Sequence, residues 1–163
     1  MALIETKNLE KVYKDGDVKT PALRGVSLII EKGEFVAIMG PSGSGKSTLL
    51  HMLGFLDRPS AGSYRFDGKT IDDFSDKQLA QIRNKKMGFV FQSFNLLPRT
   101  SVYENVRLPL LYSGIKSSHW KSMITAAIEA VDLSPRAESS VSQLSGGERQ
   151  RVDIERALVH TPE

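Results

Sequence analysis

Nine consecutive residues carry the clearest chemistry in this chain: Gly40, Pro41, Ser42, Gly43, Ser44, Gly45, Lys46, Ser47 and Thr48. They fit G-x-x-x-x-G-K-[ST], the pattern of a phosphate-binding loop. Glycines at these positions let successive backbone N–H groups converge on an anion, where side chains would block the phosphate oxygens. Lys46 brings a fixed positive charge to the β- and γ-phosphates of a nucleotide, and the Ser47 hydroxyl can ligate Mg²⁺. A helix starting just after the loop aims its N-terminal dipole at the same phosphates. A Gly-Ser surface turn would account for the glycines. It would not account for the Lys-Ser-Thr ending or the apolar run at 35–39 that leads in.

Three further features say less by themselves. Leu144, Ser145, Gly146, Gly147 and Glu148 contain S-x-x-E, the capping box of a helix N-terminus, and a well-capped helix is all that spacing requires. Gln92 closes the apolar run 88–91, and a lone Gln is ordinarily a surface residue. Tyr13, between Val12 and Lys14, suits half-buried packing at the end of a strand.

The elements that must position these residues follow from periodicity. Short β-branched or apolar runs at 3–7, 23–30 and 35–39 read as strands. Turns at Asp15-Gly16-Asp17 and at 31–34 separate them. After Gly45 the pattern becomes helical, with Leu49, Leu50, Leu53 and Leu56 as the apolar positions. Residues 63–66 followed by Asp67-Gly68 read as a strand and its turn, 76–86 as an amphipathic helix, and 87–91 as another strand. Trp120, Ile124, Ala127, Ile128 and Val131 form one helical stripe. Ser117 or Ser118 is expected to cap that helix, and Ser134-Pro135 to end it. A last helix starts at Ser145. Strands first, a glycine loop, then helices: this is an α/β arrangement with a helical lobe.

Taken together, the phosphate loop and the Leu-Ser-Gly-Gly-Glu run resemble the ATP-binding cassette (ABC) family of transport ATPases, and the likeness extends over nearly the whole chain. Phe94-Asn95-Leu96-Leu97-Pro98 and Glu104-Asn105-Val106-Arg107-Leu108-Pro109-Leu110 resemble its lipoprotein-release and macrolide-export branch, with a cell-division relative. The resemblance implies a P-loop ATPase with an antiparallel N-terminal β-subdomain and a helical subdomain. It implies one nucleotide-binding domain over 1–163, with phosphate loop and glutamine loop in 1–92 and the signature in 93–163. It implies ATP and Mg²⁺ as cofactors, with Lys46 and Gln92 catalytic, and Ser47 and Gln92 as metal ligands. Tyr13 would stack on adenine, a role for which Phe would serve as well. Ser145, Gly146 and Gly147 would close over nucleotide held by a second ATP-binding subunit, and the segment after Gln92 would dock a membrane permease subunit.

The same resemblance leads one to expect, after the signature helix, an apolar strand ending in Asp-Glu, then a switch histidine. The sequence stops before that strand, and His51, His119 and His160 hold none of the expected positions. The parallel core sheet is therefore expected to be incomplete, leaving 35–39 with bare, aggregation-prone edges. Hydrolysis by these residues alone is expected to be impaired. Asp153 and Glu155 stand where the family usually has small apolar residues. With that face open to water, Arg149–Asp153 and Arg151–Glu155 would be ordinary surface pairs at i,i+4.

Bulk properties fit this reading. Of 163 residues, 40% are hydrophobic and 25% charged, as in an ordinary soluble domain. The net charge of +3 is mild, and the short cluster Arg83, Lys85, Lys86 reads as a solvated helix face, so no nucleic acid partner is expected. With no cysteine, disulfides and Cys-based zinc sites are excluded. No apolar run approaches the roughly 20 residues of a membrane helix. The expected location is cytoplasmic, reaching the inner face of the membrane through the permease partner. Two rivals remain. One is a truncated module that binds nucleotide or a partner without turnover. The other is a genome-maintenance ATPase, whose long coiled coils between the two motifs the short spacing here argues against.

Overall fold

A long antiparallel hairpin starts the chain, pairing β1 (Ala2–Asp15) with β2 (Val18–Glu31). The turn works because Gly16 takes a left-handed φ of 55°, open to glycine without steric cost. β3 (Ala61–Phe66) lines the other edge of β1, and the short β4 (Lys69–Thr70) follows Asp67-Gly68, giving the antiparallel order β2-β1-β3-β4. The β1 ladder slips between Thr6 and Leu9. There the buried Thr6 hydroxyl donates to Val26 O (3.2 Å) and accepts from Leu28 N–H (3.1 Å), so a side chain replaces the lost ladder bonds. The computed structural model describes residues 2–162, and these fall into two compact units, Met1–Leu79 and Ala80–Glu163.

In the first unit α1 (Lys46–Leu53) buries Leu49, Met52 and Leu53 with the aromatic side of β3. Tyr64 and Phe66, two residues apart, share that side. Phe55 stacks on Tyr64 at 5.2 Å and meets Phe66 edge-on at 5.3 Å. The Tyr64 hydroxyl donates to Leu53 O at 2.6 Å, and burial pushes its phenol well above the ordinary value. The leucine stripe expected on α1 needs correction. Met52 takes the inner position, while Leu50 and Leu56 face outward. A helix buries i, i+3 and i+4, and Leu49, Met52 and Leu53 satisfy that spacing.

α2 (Asp76–Lys86) has the predicted bounds, opening in the first unit and ending in the second. Its basic cluster Arg83, Lys85 and Lys86 occupies the last turn, where the helix dipole favours cations. In the second unit α3 (Val102–Arg107), α4 (Leu110–Ser113), α5 (Trp120–Ala130) and α6 (Gly146–Leu158) enclose a separate core of Val102, Val106, Leu110, Ile124, Ile128 and Val152. The wholly buried Asn105 supports the loop before α3. It accepts from Leu97 N–H (2.8 Å) and donates to Thr100 Oγ1 (2.7 Å) and Ser101 O (3.0 Å).

Three sequence expectations change here. The runs 35–39 and 87–91 form no strand; among the described residues neither has a ladder partner. An apolar extended segment becomes a strand only by pairing, and Phe35 and Met39 remain 96% and 89% exposed. Neither Ser117 nor Ser118 caps α5. A 3₁₀ turn over Ser117–His119 leads into it, and no side chain caps it at His119. α5 also ends at Ala130, where Asp132 turns the chain at φ 57°, and Ser134-Pro135 begins a new 3₁₀ turn. Among the described residues no helix is long and apolar enough to cross a membrane.

Candidate functional site

The phosphate loop lies in the first unit and leads directly into α1. Gly45 caps that helix at φ 92°, and a Cβ there would sit 2.4 Å from Ala22 O and 2.7 Å from the Leu23 side chain. Two constraints coincide: the left-handed backbone and the close approach of β2. Gly45→Ala should therefore destabilise the unit by about 1–3 kcal/mol, read as a lower thermal midpoint. A melt matching the parent would contradict that contact.

Lys46 bends back over the loop. Its ammonium donates to Gly40 O (2.8 Å), Pro41 O (2.7 Å) and Ser44 Oγ (3.4 Å). A cation is thus fixed at the loop itself, beside the first-turn N–H groups of α1, and Ser47 is exposed on that turn. No acidic residue stands in the first turn to compete for those groups. Glycine backbone, a localised cation, free helix N–H groups and a hydroxyl suit a polyphosphate with its Mg²⁺.

Tyr13 is on β1 in the same unit, 43% exposed. Its hydroxyl has a partner the sequence did not suggest, donating to Asp57 Oδ2 at 3.0 Å. Lys11 donates to Asp57 Oδ1 at 2.5 Å and to Arg58 O at 2.8 Å, and lies 4.9 Å from the Tyr13 ring centroid. Burial would raise the Asp57 carboxyl. The hydrogen bonds from Lys11, Tyr13 and the Arg58 N–H outweigh it and hold the carboxyl below its ordinary value.

The second unit holds Gln92 and the glycine signature. Gln92 is exposed in a turn closed by Phe94 N–H to Phe91 O at 3.1 Å. That turn is tied to α6. Phe91 N–H donates to Asp153 Oδ2 at 2.8 Å, and the Arg156 guanidinium donates to Phe94 O (2.8 Å), Asn95 O (2.7 Å) and Asp153 Oδ1. Gly88 lets the segment lie directly on α6, since a Cβ there would be 2.4 Å from Ala157 O. The expected surface pairs Arg149–Asp153 and Arg151–Glu155 are therefore corrected. Asp153 is fully buried and bonds Arg156, because residues 91–95 cover this face of the helix. Glu155 is half-buried, and desolvation raises its carboxyl above the ordinary value.

Ser145 caps α6 as its spacing predicts: its hydroxyl accepts from Glu148 N–H (3.3 Å), and Glu148 Oε2 accepts from Ser145 N–H (2.8 Å). That backbone hydrogen bond is the chief cause holding the Glu148 carboxyl below its usual value. Gly146 and Gly147 are exposed on the first turn, and a Cβ on either would meet nothing within 4 Å. The chain's own packing does not require glycine there.

Lys46, Ser47 and Tyr13 thus belong to one unit, and Gln92 and Ser145 to the other. Sequence reasoning missed Asp57, which has no local signal, and the Asp153–Arg156 pair, whose i,i+3 spacing was visible but whose burial was not.

Comparison with known proteins identifies the family. Residues 23–163 match the family described as ABC transporter. A macrolide export ATP-binding/permease protein, MacB, of Syntrophobacter fumaroxidans is 48% identical over 99% of this chain. An uncharacterized ABC transporter ATP-binding protein of Thermotoga maritima is 49% identical over 98% of it. The chain spans 23% of the first protein and 68% of the second. Among solved structures, a dimeric ATP-binding cassette, MJ0796, in a post-hydrolysis state bound to ADP and Pi superposes with a TM-score of 0.89. It is 42% identical, and the match covers 98% of this chain and 70% of that one.

Proposed function

This chain belongs to the ABC transporter family, and from that premise we propose that residues 1–163 act as one ATP-binding domain that couples nucleotide to the work of a membrane permease. The observation that carries the reading is Lys46, held by the Gly40 and Pro41 carbonyls at a glycine loop opening α1. A polyphosphate offers that ammonium stronger, charged acceptors than neutral carbonyls. In this proposal Gly40 through Thr48 wrap the phosphates, Ser47 and Gln92 ligate Mg²⁺, Lys46 and Gln92 serve the transfer step, and adenine stacks on Tyr13.

Ser145, Gly146 and Gly147 are proposed to engage nucleotide held by a second ATP-binding subunit. Glycine in a helix costs about 1 kcal/mol relative to alanine, and no neighbouring atom demands it at 146 or 147. Bare N–H groups offered to an anion from outside account for both. The permease partner is proposed on the family relationship, and it would hold the domain at the cytoplasmic face of the membrane.

A second, narrower reading concerns the 163-residue polypeptide by itself: it binds ATP without family-like turnover. In it Lys46, Ser47 and Gln92 would supply charge and metal contacts, and among the described residues after Gln92 no group of three or more His, Asp or Glu gathers where a metal and its water could be held.

Calorimetric titration with Mg²⁺-ATP and Mg²⁺-ADP tests the first reading, and phosphate release tests the second. Both nucleotides should bind. Tyr13→Ala should weaken them alike, by up to the roughly 1–3 kcal/mol that base stacking on an aromatic contributes. Phosphate release should stay at the level of a Lys46→Ala control. No binding by the parent would end the proposal, and steady turnover well above the control would end the narrower reading.

A further inference from the structure

We propose that Lys11 and Asp57 are positioning residues for the nucleobase, fixing the Tyr13 ring with one face covered and the other presented for stacking. The inference rests on the nucleotide reading above and extends it from the phosphates to the base.

Asp57 follows α1 in the chain and reaches back to β1, where one carboxylate holds two side chains. Its Oδ2 accepts from the Tyr13 hydroxyl at 3.0 Å and its Oδ1 from Lys11 Nζ at 2.5 Å. Arg58 in turn makes an exposed ion pair with Asp76 at 2.8 Å. Lys11 also donates to Arg58 O, and its side chain is only 12% exposed. The ammonium therefore stays 4.9 Å from the Tyr13 centroid rather than sweeping through solvent. A cation over a π-face occupies that face, so a base can stack only on the opposite one. The hydroxyl bond removes the remaining freedom of the ring, and a ring already fixed loses less entropy when a base arrives.

Placement supports the same role. Tyr13 pairs with Thr20 on β2, two residues from Ala22, whose carbonyl packs against Gly45 of the phosphate loop. Ring and phosphate loop thus adjoin one stretch of the hairpin.

The test separates base from phosphate. Affinities of the 163-residue chain for Mg²⁺-ATP and for inorganic Mg²⁺-tripolyphosphate are measured by calorimetry for the parent, Tyr13→Phe and Lys11→Met. Tyr13→Phe removes one hydroxyl and no packing, so its fold is not in question, and the hydroxyl bond to Asp57 is the reason phenylalanine is no longer expected to serve as well as tyrosine. Each variant should bind ATP more weakly by roughly threefold to tenfold, a fraction of full stacking, with tripolyphosphate affinity unchanged. A variant that binds ATP as the parent does overturns the inference. So does one that loses ATP and tripolyphosphate by the same factor, since that is general damage rather than loss of the base contact. If the parent binds neither ligand, the nucleotide reading itself fails and this inference falls with it. A parent that binds both while the variants behave like it defeats the inference alone.

Discussion

Lys46→Ala should abolish detectable ATP binding in calorimetry while leaving the circular dichroism spectrum unchanged. The ammonium contributes charge-assisted hydrogen bonds, each worth about 1.5–3 kcal/mol against an ionised partner. Losing about 3 kcal/mol lowers affinity more than a hundredfold, which takes a micromolar site out of calorimetric range. The fold should survive, because the ammonium's acceptors, Gly40 O, Pro41 O and Ser44 Oγ, all lie in the exposed loop rather than in the core. Lys46→Arg should not rescue it. A planar guanidinium cannot replace a compact ammonium in the space between the Gly40 and Pro41 carbonyls. Affinity equal to the parent in Lys46→Ala would sink the phosphate-loop assignment.

Arg156→Ala should be the most destabilising single substitution considered. It leaves Asp153, with no exposed surface, without its cation, and it frees the Phe94 and Asn95 carbonyls. Removing one partner of a buried ion pair costs about 3–5 kcal/mol. That is a large share of the roughly 5–15 kcal/mol by which domains are stable at all. At about 2–4 °C per kcal/mol for a chain of this size, the thermal midpoint should fall by roughly 6–20 °C. The double variant Asp153→Ala/Arg156→Leu should recover only part of the loss: it removes the uncompensated charge, but the Phe91 N–H and the Phe94 and Asn95 carbonyls stay without these partners. A double-mutant cycle separates this coupling from the loss of either side chain alone. A midpoint for Arg156→Ala within a degree or two of the parent would show that the pair is not buried as described.

These two expectations come from different depths of information. Lys46 was legible because a phosphate loop is a local object. Its glycines, lysine and hydroxyl are contiguous, and the chemistry that needs them fixes their spacing. The capping box of Ser145 and Glu148 was legible for the same reason, as both bonds close within one turn. So were the bounds of α2, where the amphipathic pattern of 76–86 matches Asp76–Lys86.

What stayed hidden depends on partners far along the chain. Apolar runs at 35–39 and 87–91 look like strands in sequence, yet a strand needs a ladder, and no described residue supplies one. Asp153 looked like a surface acid because its neighbours on α6 offer i,i+4 partners. The covering segment at 91–95 lies some 60 residues earlier and turned it into a buried acceptor for Phe91 N–H. Asp57 carried no signal at all, and its role beside Tyr13 exists only because the turn after α1 returns to β1. The sequence by itself determined the chemistry of the phosphate loop and the caps, because backbone geometry and side chain act there within a few residues. Only the tertiary structure decided which charges are buried, which faces are covered and which ring is held, because burial is set by whatever the rest of the chain brings alongside.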